Sequence, residues 1–481
     1  MMGRYYNPDD FVIQYPGIYP ENVQPFMDEY FERVRYVNET EVNGADIVAG
    51  NVTEPKLTAK ITLTDNLIRF YNEKYAPEYK LNTDVAMAKK YGYKDIFTMI
   101  GATACDDAYN FMFPPQSRDT VLVSQINSWI ENKNPAYAGD TLYMIRDKVE
   151  VFDLTPQEGS IYRHIYAKNF GTVYNQAGVV ISKVMFSLME STKLYKDECL
   201  PKPRHTFGFP DMWEDPDWFS RPLHVYTDED YEYFKDLWKN EVVRGEEPLF
   251  WEDVAVGDVI PTGTFGPIKD SVIPMKPYGM GVSGSRNLKE YFLNPELEAQ
   301  MVVDEVTGIK QMPDPEINTP PMPDGIELPA RDVAGDPDDG DSASDIETAS
   351  IHSGPQLKIA LLNFMGRDIA TAYVENFVGY HGKIKNVRWN IMPADTHAAL
   401  GKPVAVVEDY VNFIQKVPGK ESTTLTIHGL TTDVAIMNAQ VIGKTVVDQE
   451  YLIKVIVWIE DINKEAWFGA EFDIALPSKK A

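Results

Sequence analysis

The sequence predicts an α+β chain built as an internal duplication, in which each copy has a long helix followed by a curved antiparallel sheet. Three observations support this prediction. Alternating apolar and polar residues recur in both halves, a long apolar segment precedes each set of them, and the closing hairpins of the two halves correspond. The same pattern returning in the same order is typical of a duplicated unit.

Three segments of the first half have the period-two pattern of β-strands. They are residues 140–154, 160–170 and 178–190, separated by the turn sequences PQEG and NQAG. Because β-branched and aromatic residues are frequent in them, they predict an antiparallel meander. Ahead of the meander, residues 61–75 predict a strand that passes into a helix, and the apolar residues 97–113 predict the long helix of this copy.

The second half repeats these features. Residues 354–366 predict an apolar helix with Gly-Pro near its start, and a second meander is predicted at 423–432, 451–461 and 466–477. The segment PLFWEDVAVGDVIPTGTFGPI opens this half with a strand, a Gly-Asp turn and another extended stretch. We therefore predict that the second copy begins at residue 248.

The predicted organisation has four parts and one insertion. They are an N-terminal arm (1–48), a first copy (49–194), a Pro- and Trp-rich linker or arm (195–247), a second copy (248–481), and an acidic, Pro-rich insertion within it (292–350). The insertion is nearly free of aromatic residues, so it is not expected to bury enough apolar surface to fold by itself.

Composition and charge narrow the class of protein. With 481 residues, 44% of them hydrophobic, the chain is long enough for two or three domains with sizeable cores. A net charge of −28 argues against nucleic acid or an anionic membrane as the main partner. Residues 301–350 carry a net −11 of this charge, so the remainder is only moderately acidic. We expect a cytoplasmic protein, because no apolar stretch approaches the roughly 18–20 residues of a membrane span and the start of the sequence has no apolar signal core.

No motif for a cofactor or a metal is convincing, and we expect neither. Cys105 and Cys199 are far apart and lack CxxC or zinc-type spacing, so they predict two free thiols. GMGVSG (279–284) neither follows a clear strand nor opens a βαβ unit, so it does not predict a dinucleotide site. Residues 336–347 match an EF-hand loop at three positions, but glycine stands where the fifth ligand belongs; a solvated acidic loop explains them better.

Several segments resemble the MaoC-like acyl dehydratases, the family of the (R)-specific enoyl-CoA hydratases. YAGDTLYMIRDKVEV and IYAKNFGTVYNQAGVVI resemble the N-terminal hotdog domain of that family, and FWEDVAVGDVIPTGTFGPI resembles the start of its second one. HSGPQLKIALLNFMGRD and VVDQEYLIKVIVWIEDINKEAWFGAEFDIALPS resemble the central helix and the last hairpin of the second domain. The likeness spans most of the chain in the expected order.

The resemblance implies a double hotdog fold, with each antiparallel sheet wrapped around a central helix and a degenerate first copy. It also implies reversible hydration of a 2-enoyl-CoA, so an acyl-CoA thioester would be the ligand. This chemistry needs a carboxylate and an imidazole that activate one water, and a backbone amide at the start of the central helix that receives the thioester oxygen. Because two hotdogs already form the pseudo-dimer of single-hotdog proteins, a homo-oligomer or a subunit of a complex is the expected assembly.

The usual catalytic pair of the family is absent. Family members place Asp and His five residues apart, but the closest segment of the second copy, 283–292, has Ser285 at the first position and Glu290 at the second. The first copy has no such pair in 70–92 either. Glu290 is therefore a candidate general base, because hydration requires a proton acceptor rather than an imidazole specifically. A surface glutamate in a Lys-Glu pair is the alternative interpretation.

Three residues at the start of the predicted central helix are the other candidates. His352 would have its charge tuned by the helix dipole and would titrate near neutral pH; a loop or capping histidine is the alternative. Ser353 and Gly354 are the candidate substrate-binding residues, because glycine lets a backbone amide approach a ligand and a helix start favours an oxyanion. A glycine before a proline at a helix start also has a purely structural explanation.

Three functions remain open at this point. The first is an acyl-CoA hydratase/dehydratase, whose many Tyr and Phe residues fit a wide pocket for a bulky or aromatic acyl group. The second is a non-catalytic hotdog subunit that binds acyl-CoA or assembles a larger complex, which the missing Asp/His pair favours. The third, thioester hydrolysis, ranks last because it needs a carboxylate on the central helix and residues 354–366 have none.

Overall fold

A computed structural model describes residues 4–5, 24–104, 120–153, 162–193, 224–267, 272–273, 282–283, 287–318, 355–390, 434–464 and 466–480. Its helices are α1 (Gln24–Glu39), α2 (Gly44–Ala49), α3 (Asp65–Tyr75), α4 (Val85–Lys90), α5 (Asp228–Asn240), α6 (Lys289–Phe292), α7 (Pro295–Glu298), α8 (Pro315–Asn318) and α9 (Pro355–Val378). Short 3₁₀ segments lie at Lys80–Asn82, Gly101–Ala104 and Trp251–Asp253.

The strands account for most of the remaining described residues. They are β1 (Arg4–Tyr5), β2 (Leu57–Thr62), β3 (Thr120–Asn132), β4 (Thr141–Asp153), β5 (Tyr162–Asn175), β6 (Val180–Lys193), β7 (Val259–Phe265), β8 (Val272–Ile273), β9 (Val282–Ser283), β10 (Val302–Val303), β11 (Lys310–Gln311), β12 (Lys383–Asn390), β13 (Ala435–Val447), β14 (Glu450–Glu460) and β15 (Ala466–Leu476).

The meander predicted in the first half is present as β4, β5 and β6. Each strand pairs antiparallel with the next. The turn between β5 and β6 is tight: the Asn175 side chain accepts hydrogen bonds from the backbone N–H groups of Ala177 and Val179. Gly178 in this turn has φ +73°, and a Cβ there would lie 2.3 Å from the Gly44 carbonyl oxygen, so only glycine fits.

The strand order repeats in the two halves of the chain. The main sheet runs β4-β5-β6-β3-β12-β15-β14-β13-β7, with β2 paired to β4. In each half, the first strand pairs with the start of the meander (β2 with β4, β7 with β13), and the second strand pairs with its end (β3 with β6, β12 with β15). This palindromic order is the structural form of an internal duplication, although the boundary at residue 248 itself stays a prediction.

Strands β3 and β12 join the two halves into one sheet. They pair antiparallel, with Val387 opposite Ile130 and Trp389 opposite Ser128. The side chains of Ile130, Val387 and Trp389 have no solvent exposure, and they belong to one hydrophobic core that contains residues of both halves. The two copies therefore share a core and are not independent units.

Helix α9 lies inside the sheet of the second half. Every residue from 365 to 380 is buried, which a helix reaches only when other elements surround it. Phe468 of β15 packs directly on Gly366, where a Cβ would lie 2.6 Å from its ring. A sheet wrapped around a central helix, joined by edge strands to a second copy, is the double hotdog arrangement predicted above. Of the helix predicted at 97–113, the structure describes residues 97–104. Phe97 forms an isolated β-bridge with Tyr137, and Gly101–Ala104 form a 3₁₀ segment, so the helix does not begin at residue 97 as predicted.

Several segments differ from the prediction. Helix α9 continues to Val378, beyond the predicted end at residue 366, because its Arg367 and Asp368 are buried and paired instead of facing solvent. The predicted linker contains α5, whose Trp238 donates a hydrogen bond to the Thr264 carbonyl of β7 at 3.0 Å. The predicted strand at 423–432 lies outside the described residues.

The first part of the acidic insertion is also folded. Phe292 and Ile309 are buried against Tyr231 and Trp238 of α5, so residues 292–318 bury apolar surface with the help of the linker helix. The prediction that the insertion cannot fold by itself overlooked this partner. The remainder of the insertion, including the EF-hand-like residues 336–347, lies outside the described residues.

Within the described part of the chain, none of the helices combines the length and the apolar character that a membrane crossing requires.

Candidate functional site

The structure describes one of the four predicted site residues. Glu290 lies on the short helix α6, and its side chain is exposed. His352, Ser353 and Gly354 lie outside the described residues, directly before Pro355, the first residue of α9. Their roles therefore stay predictions.

The segment that carries Glu290 is held at the junction between the two halves. The backbone N–H of Asn287 donates to the carbonyl of Lys74, the last-turn lysine of α3, at 3.3 Å. The ammonium of Lys289 lies 3.2 Å from a carboxylate oxygen of Glu78, which follows α3 in the first half, and 2.5 Å from one of Glu241, which follows α5. Glu290 thus sits next to a charged triple that joins three separate segments.

The pKa values of Lys289 and Glu241 reflect the close contact of the charges in this triple. Burial raises the pKa of Glu241, and the nearby Glu78 charge raises it further, although the Lys289 ammonium opposes both. Burial disfavours the charged form of Lys289, but the two carboxylates outweigh that effect and raise its pKa. The Asn376 side chain of α9 hydrogen bonds to Glu241 as well, so the central helix contacts the same group.

A second polar group lies deeper, between α3 of the first half and α9 of the second. The Tyr71 hydroxyl donates a short hydrogen bond to Asp368, and the Arg367 Nε donates to the other Asp368 oxygen at 2.8 Å. All three side chains are at most 2% exposed. The Arg367 guanidinium also lies 5.2 Å from the ring centre of Trp389 on β12. We call Tyr71, Arg367 and Asp368 the junction cluster.

The junction cluster packs against Gly101, the first residue of the 3₁₀ segment Gly101–Ala104 of the first copy. A Cβ on Gly101 would lie 2.2 Å from an Asp368 carboxylate oxygen and 2.7 Å from the Arg367 guanidinium, so a side chain there would collide with both. Burial raises the pKa of Asp368, while Arg367 and Tyr71 oppose the shift. The carboxylate is therefore compensated by a cation and a hydrogen-bond donor, as a buried charge must be.

Glu375 is the second buried carboxyl on α9, and its hydrogen-bond partners differ from those of Asp368. The residue is 7% exposed, and one carboxyl oxygen, Oε2, has no hydrogen-bond partner among the described residues. Burial raises its pKa to about 8, and the charge of Asp368 adds to the shift. A glutamate with this pKa carries its proton at neutral pH.

Lys74 is buried as well, at 1% exposure in the last turn of α3. Burial lowers its pKa to about 7, so a fraction of the amine is neutral at physiological pH. Its ammonium lies 4.1 Å from the ring centre of Phe70. Aromatic contact compensates a buried ammonium only in part.

Sequence reasoning missed the carboxylates of α9 because it ended the helix at residue 366. The argument that the central helix has no carboxylate is therefore wrong: Asp368 and Glu375 both lie on it. The spacing of Asp368, Thr371 and Glu375, three and four residues apart, is the one signal in the sequence that places them on a single helix face.

Thioester hydrolysis is still disfavoured, but for a different reason. At 1.5 Å per residue, Asp368 lies about 20 Å and Glu375 about 30 Å along the helix from Pro355. Neither carboxylate can therefore meet a thioester carbonyl that is bound by an amide at the start of α9.

Metal coordination finds no support in the part of the chain that the structure covers, where no three His, Cys, Asp or Glu side chains gather closely enough to hold an ion.

Comparisons with known proteins find solved structures of low similarity to the chain. No family model and no curated protein sequence matches it. A MaoC-like dehydratase structure is 13% identical, with a TM-score of 0.38 over 88% of this chain and 99% of the other. A MaoC domain dehydratase from Chloroflexus aurantiacus is 11% identical, with a TM-score of 0.40 over 88% and 95% of the two chains. A Mycobacterium tuberculosis protein described as having a double hotdog fold is 10% identical, with a TM-score of 0.41 over 89% and 97%.

Two of these three neighbours carry the name of the family that the sequence resembles. At such identities and scores they add no argument about activity, so the fold assignment rests on the strand order and the enclosed helix of the chain itself.

Proposed function

We propose that the protein is an acyl-thioester hydratase/dehydratase that acts on a 2-enoyl-CoA or 3-hydroxyacyl-CoA. The observation that carries the proposal is the enclosed helix α9 of a double hotdog, which begins directly after Ser353-Gly354. A helix start leaves backbone N–H groups without intrahelical partners, and these stabilise a developing oxyanion. The many Tyr and Phe residues support a bulky or aromatic acyl group.

The proposed roles follow from the chemistry of hydration. A water adds its oxygen to C3 of the enoyl thioester, and the proton that it loses passes to His352, two residues before Gly354. The negative charge that develops on the thioester oxygen is received by the amide of Gly354, beside Ser353. His352 then returns the proton to C2, which completes the 3-hydroxyacyl product, and the reverse sequence dehydrates it. Glu290 takes no part in this step, because its neighbour Lys289 pairs with Glu241 and Glu241 contacts Asn376, which lies about 30 Å along α9 from Pro355.

The test is the loss of absorbance of the enoyl-thioester band in a panel of short, branched and aromatic 2-enoyl-CoAs. We expect turnover by the wild type and a loss of about 10²–10⁴-fold in His352→Ala, but activity close to that of the wild type in Glu290→Gln. His381→Ala and Glu296→Gln are the matched controls, because both residues are exposed and lie outside the proposed site. Equal activity of His352→Ala and His381→Ala would contradict the role of His352, and a loss in Glu290→Gln that Glu296→Gln does not share would show that Glu290 belongs to the site.

A second candidate function is a non-catalytic subunit that binds acyl-CoA or assembles a larger complex. The observation that favours it is the position of Glu290, which is exposed and lies on the segment held beside Asn376, far along α9 from Pro355. Binding of CoA esters without turnover of any of them would select this function. Light scattering of the purified protein then separates a homo-oligomer from a subunit that awaits another chain.

A further inference from the structure

The two carboxyl groups on the buried face of α9, Asp368 and Glu375, differ in their ion-pair and hydrogen-bond partners. Asp368 has a cation and a hydroxyl donor as partners, Arg367 and Tyr71. Glu375, seven residues further along the same face, has neither a cation nor a donor for its Oε2 among the described residues. Arg367 is held by Asp368, so it is not available to compensate a second charge.

The titratable groups that face Glu375 come from three elements. On its own helix the facing group is Asp368, whose charge has the same sign. Tyr79, from the turn after α3, and Tyr93, which follows α4, face it from the first half of the chain. Burial raises the pKa of Tyr79 well above its usual range and that of Tyr93 to about 12, so both remain neutral when Glu375 titrates.

We propose that Glu375 makes the contact between the two halves of the chain sensitive to pH. With its proton, the carboxyl is a neutral group that the buried junction accepts. Without the proton, Glu375 adds a second negative charge to the helix face that carries Asp368, opposite neutral tyrosines of the first half. The repulsion between the two carboxylates and the cost of burying the new charge loosen the packing of α9 against the segment Tyr71–Asn82.

The direction of the effect follows from proton linkage. The pKa of Glu375 is raised by burial from 4.5 to about 8 in the folded chain, so the folded state holds a proton that the unfolded state has released. Its contribution to stability is therefore complete below about pH 4.5 and is lost as the pH rises through about 8. The junction is expected to be closed at pH 6 and loosened at pH 9.

The test is hydrogen exchange of the full chain, measured at pH 6 and pH 9 and corrected for the intrinsic pH dependence of exchange. In the wild type we expect peptides that cover 71–82 and 368–380 to exchange several-fold faster at pH 9. Glu375→Gln has the shape of the protonated carboxyl and no charge to release, so we expect it to lose this acceleration. Glu316→Gln, at an exposed position on α8, should keep it. The same acceleration in Glu375→Gln, or none in the wild type, would overturn the proposal.

Infrared spectroscopy of the wild type provides a second test that does not depend on the folding of a variant. We expect the C=O band of a buried protonated carboxyl to be present at pH 6 and lost at pH 9. A band that is absent at pH 6, or unchanged at pH 9, would rule out Glu375 as the titrating group. Neither measurement uses a CoA ester, so their outcome is independent of the proposed enzymatic activity.

Discussion

Tyr71 and Asp368 connect the two halves through a single hydrogen bond between residues 297 positions apart in the chain. Both side chains are buried, and Asp368 depends on Tyr71 as well as on Arg367 for its compensation. Such a hydrogen bond contributes more to stability than an exposed one. Removing the donor leaves a buried carboxylate with one hydrogen bond fewer in a medium of low dielectric constant. A substitution at Tyr71 therefore measures how much this contact between the two halves stabilises the protein.

We expect Tyr71→Phe to lower the free energy of unfolding by about 1–3 kcal/mol, because it removes the hydroxyl and leaves the ring in place. Urea denaturation followed by circular dichroism measures this loss. Tyr36→Phe is the matched control, since Tyr36 is 49% exposed, and it should change the free energy by less than about 0.5 kcal/mol. Equal effects of the two substitutions would contradict the cluster's role.

At the scale of elements, the strands were predictable and the helix ends were not. The segments predicted at 140–154, 451–461 and 466–477 coincide closely with β4, β14 and β15, because a half-buried strand must alternate and the sequence displays that alternation. The central helix extends through RDIATAYVENF because Asp368 is buried against its neighbour Arg367 and against Tyr71 of α3. No local rule gives a charged residue a buried partner from another element.

The start of the 3₁₀ segment at Gly101 gives a prediction on this scale. We expect Gly101→Ala to cost about 1–3 kcal/mol, because the new Cβ would collide with the Asp368 carboxylate and the Arg367 guanidinium, and neither can leave its partner freely. Thermal or urea unfolding detects the change. Gly443→Ala on β13 is the matched control: its Cβ would meet Lys454 at an ordinary 3.4 Å. A Gly101→Ala variant as stable as this control would mean that Arg367 and Asp368 can move to accommodate the added Cβ.

On the scale of the whole molecule, the decisive contact is the pairing of β3 with β12, which makes the two copies one sheet with one core. A chain whose halves share a core is expected to unfold as a unit, because neither half keeps its buried surface without the other. The shared core also explains why Tyr71, Arg367 and Asp368 are buried, because surfaces that would be solvated in separate domains face each other at the junction.

We therefore predict that circular dichroism and tryptophan fluorescence report the same single unfolding midpoint. A chain that ends at residue 247 should not give the cooperative transition of the full chain, because it would expose Ile130 and Tyr71, which the second half covers. Two separate midpoints in the full chain, or cooperative folding of the truncated one, would show that the halves are independent domains.

The sequence by itself determined the class of fold, the meanders and the doubling of the unit, because alternation, turn residues and repetition are local properties that can be read along the chain. It also led to Glu290, His352, Ser353 and Gly354, whose roles await the kinetic tests. The tertiary structure alone decided that α9 reaches Val378, that Asp368 meets Tyr71 and that Glu375 is buried with no cation paired to it among the described residues. The reason is physical: the state of a buried charge is set by groups that lie close in space, and those groups come from distant parts of the chain.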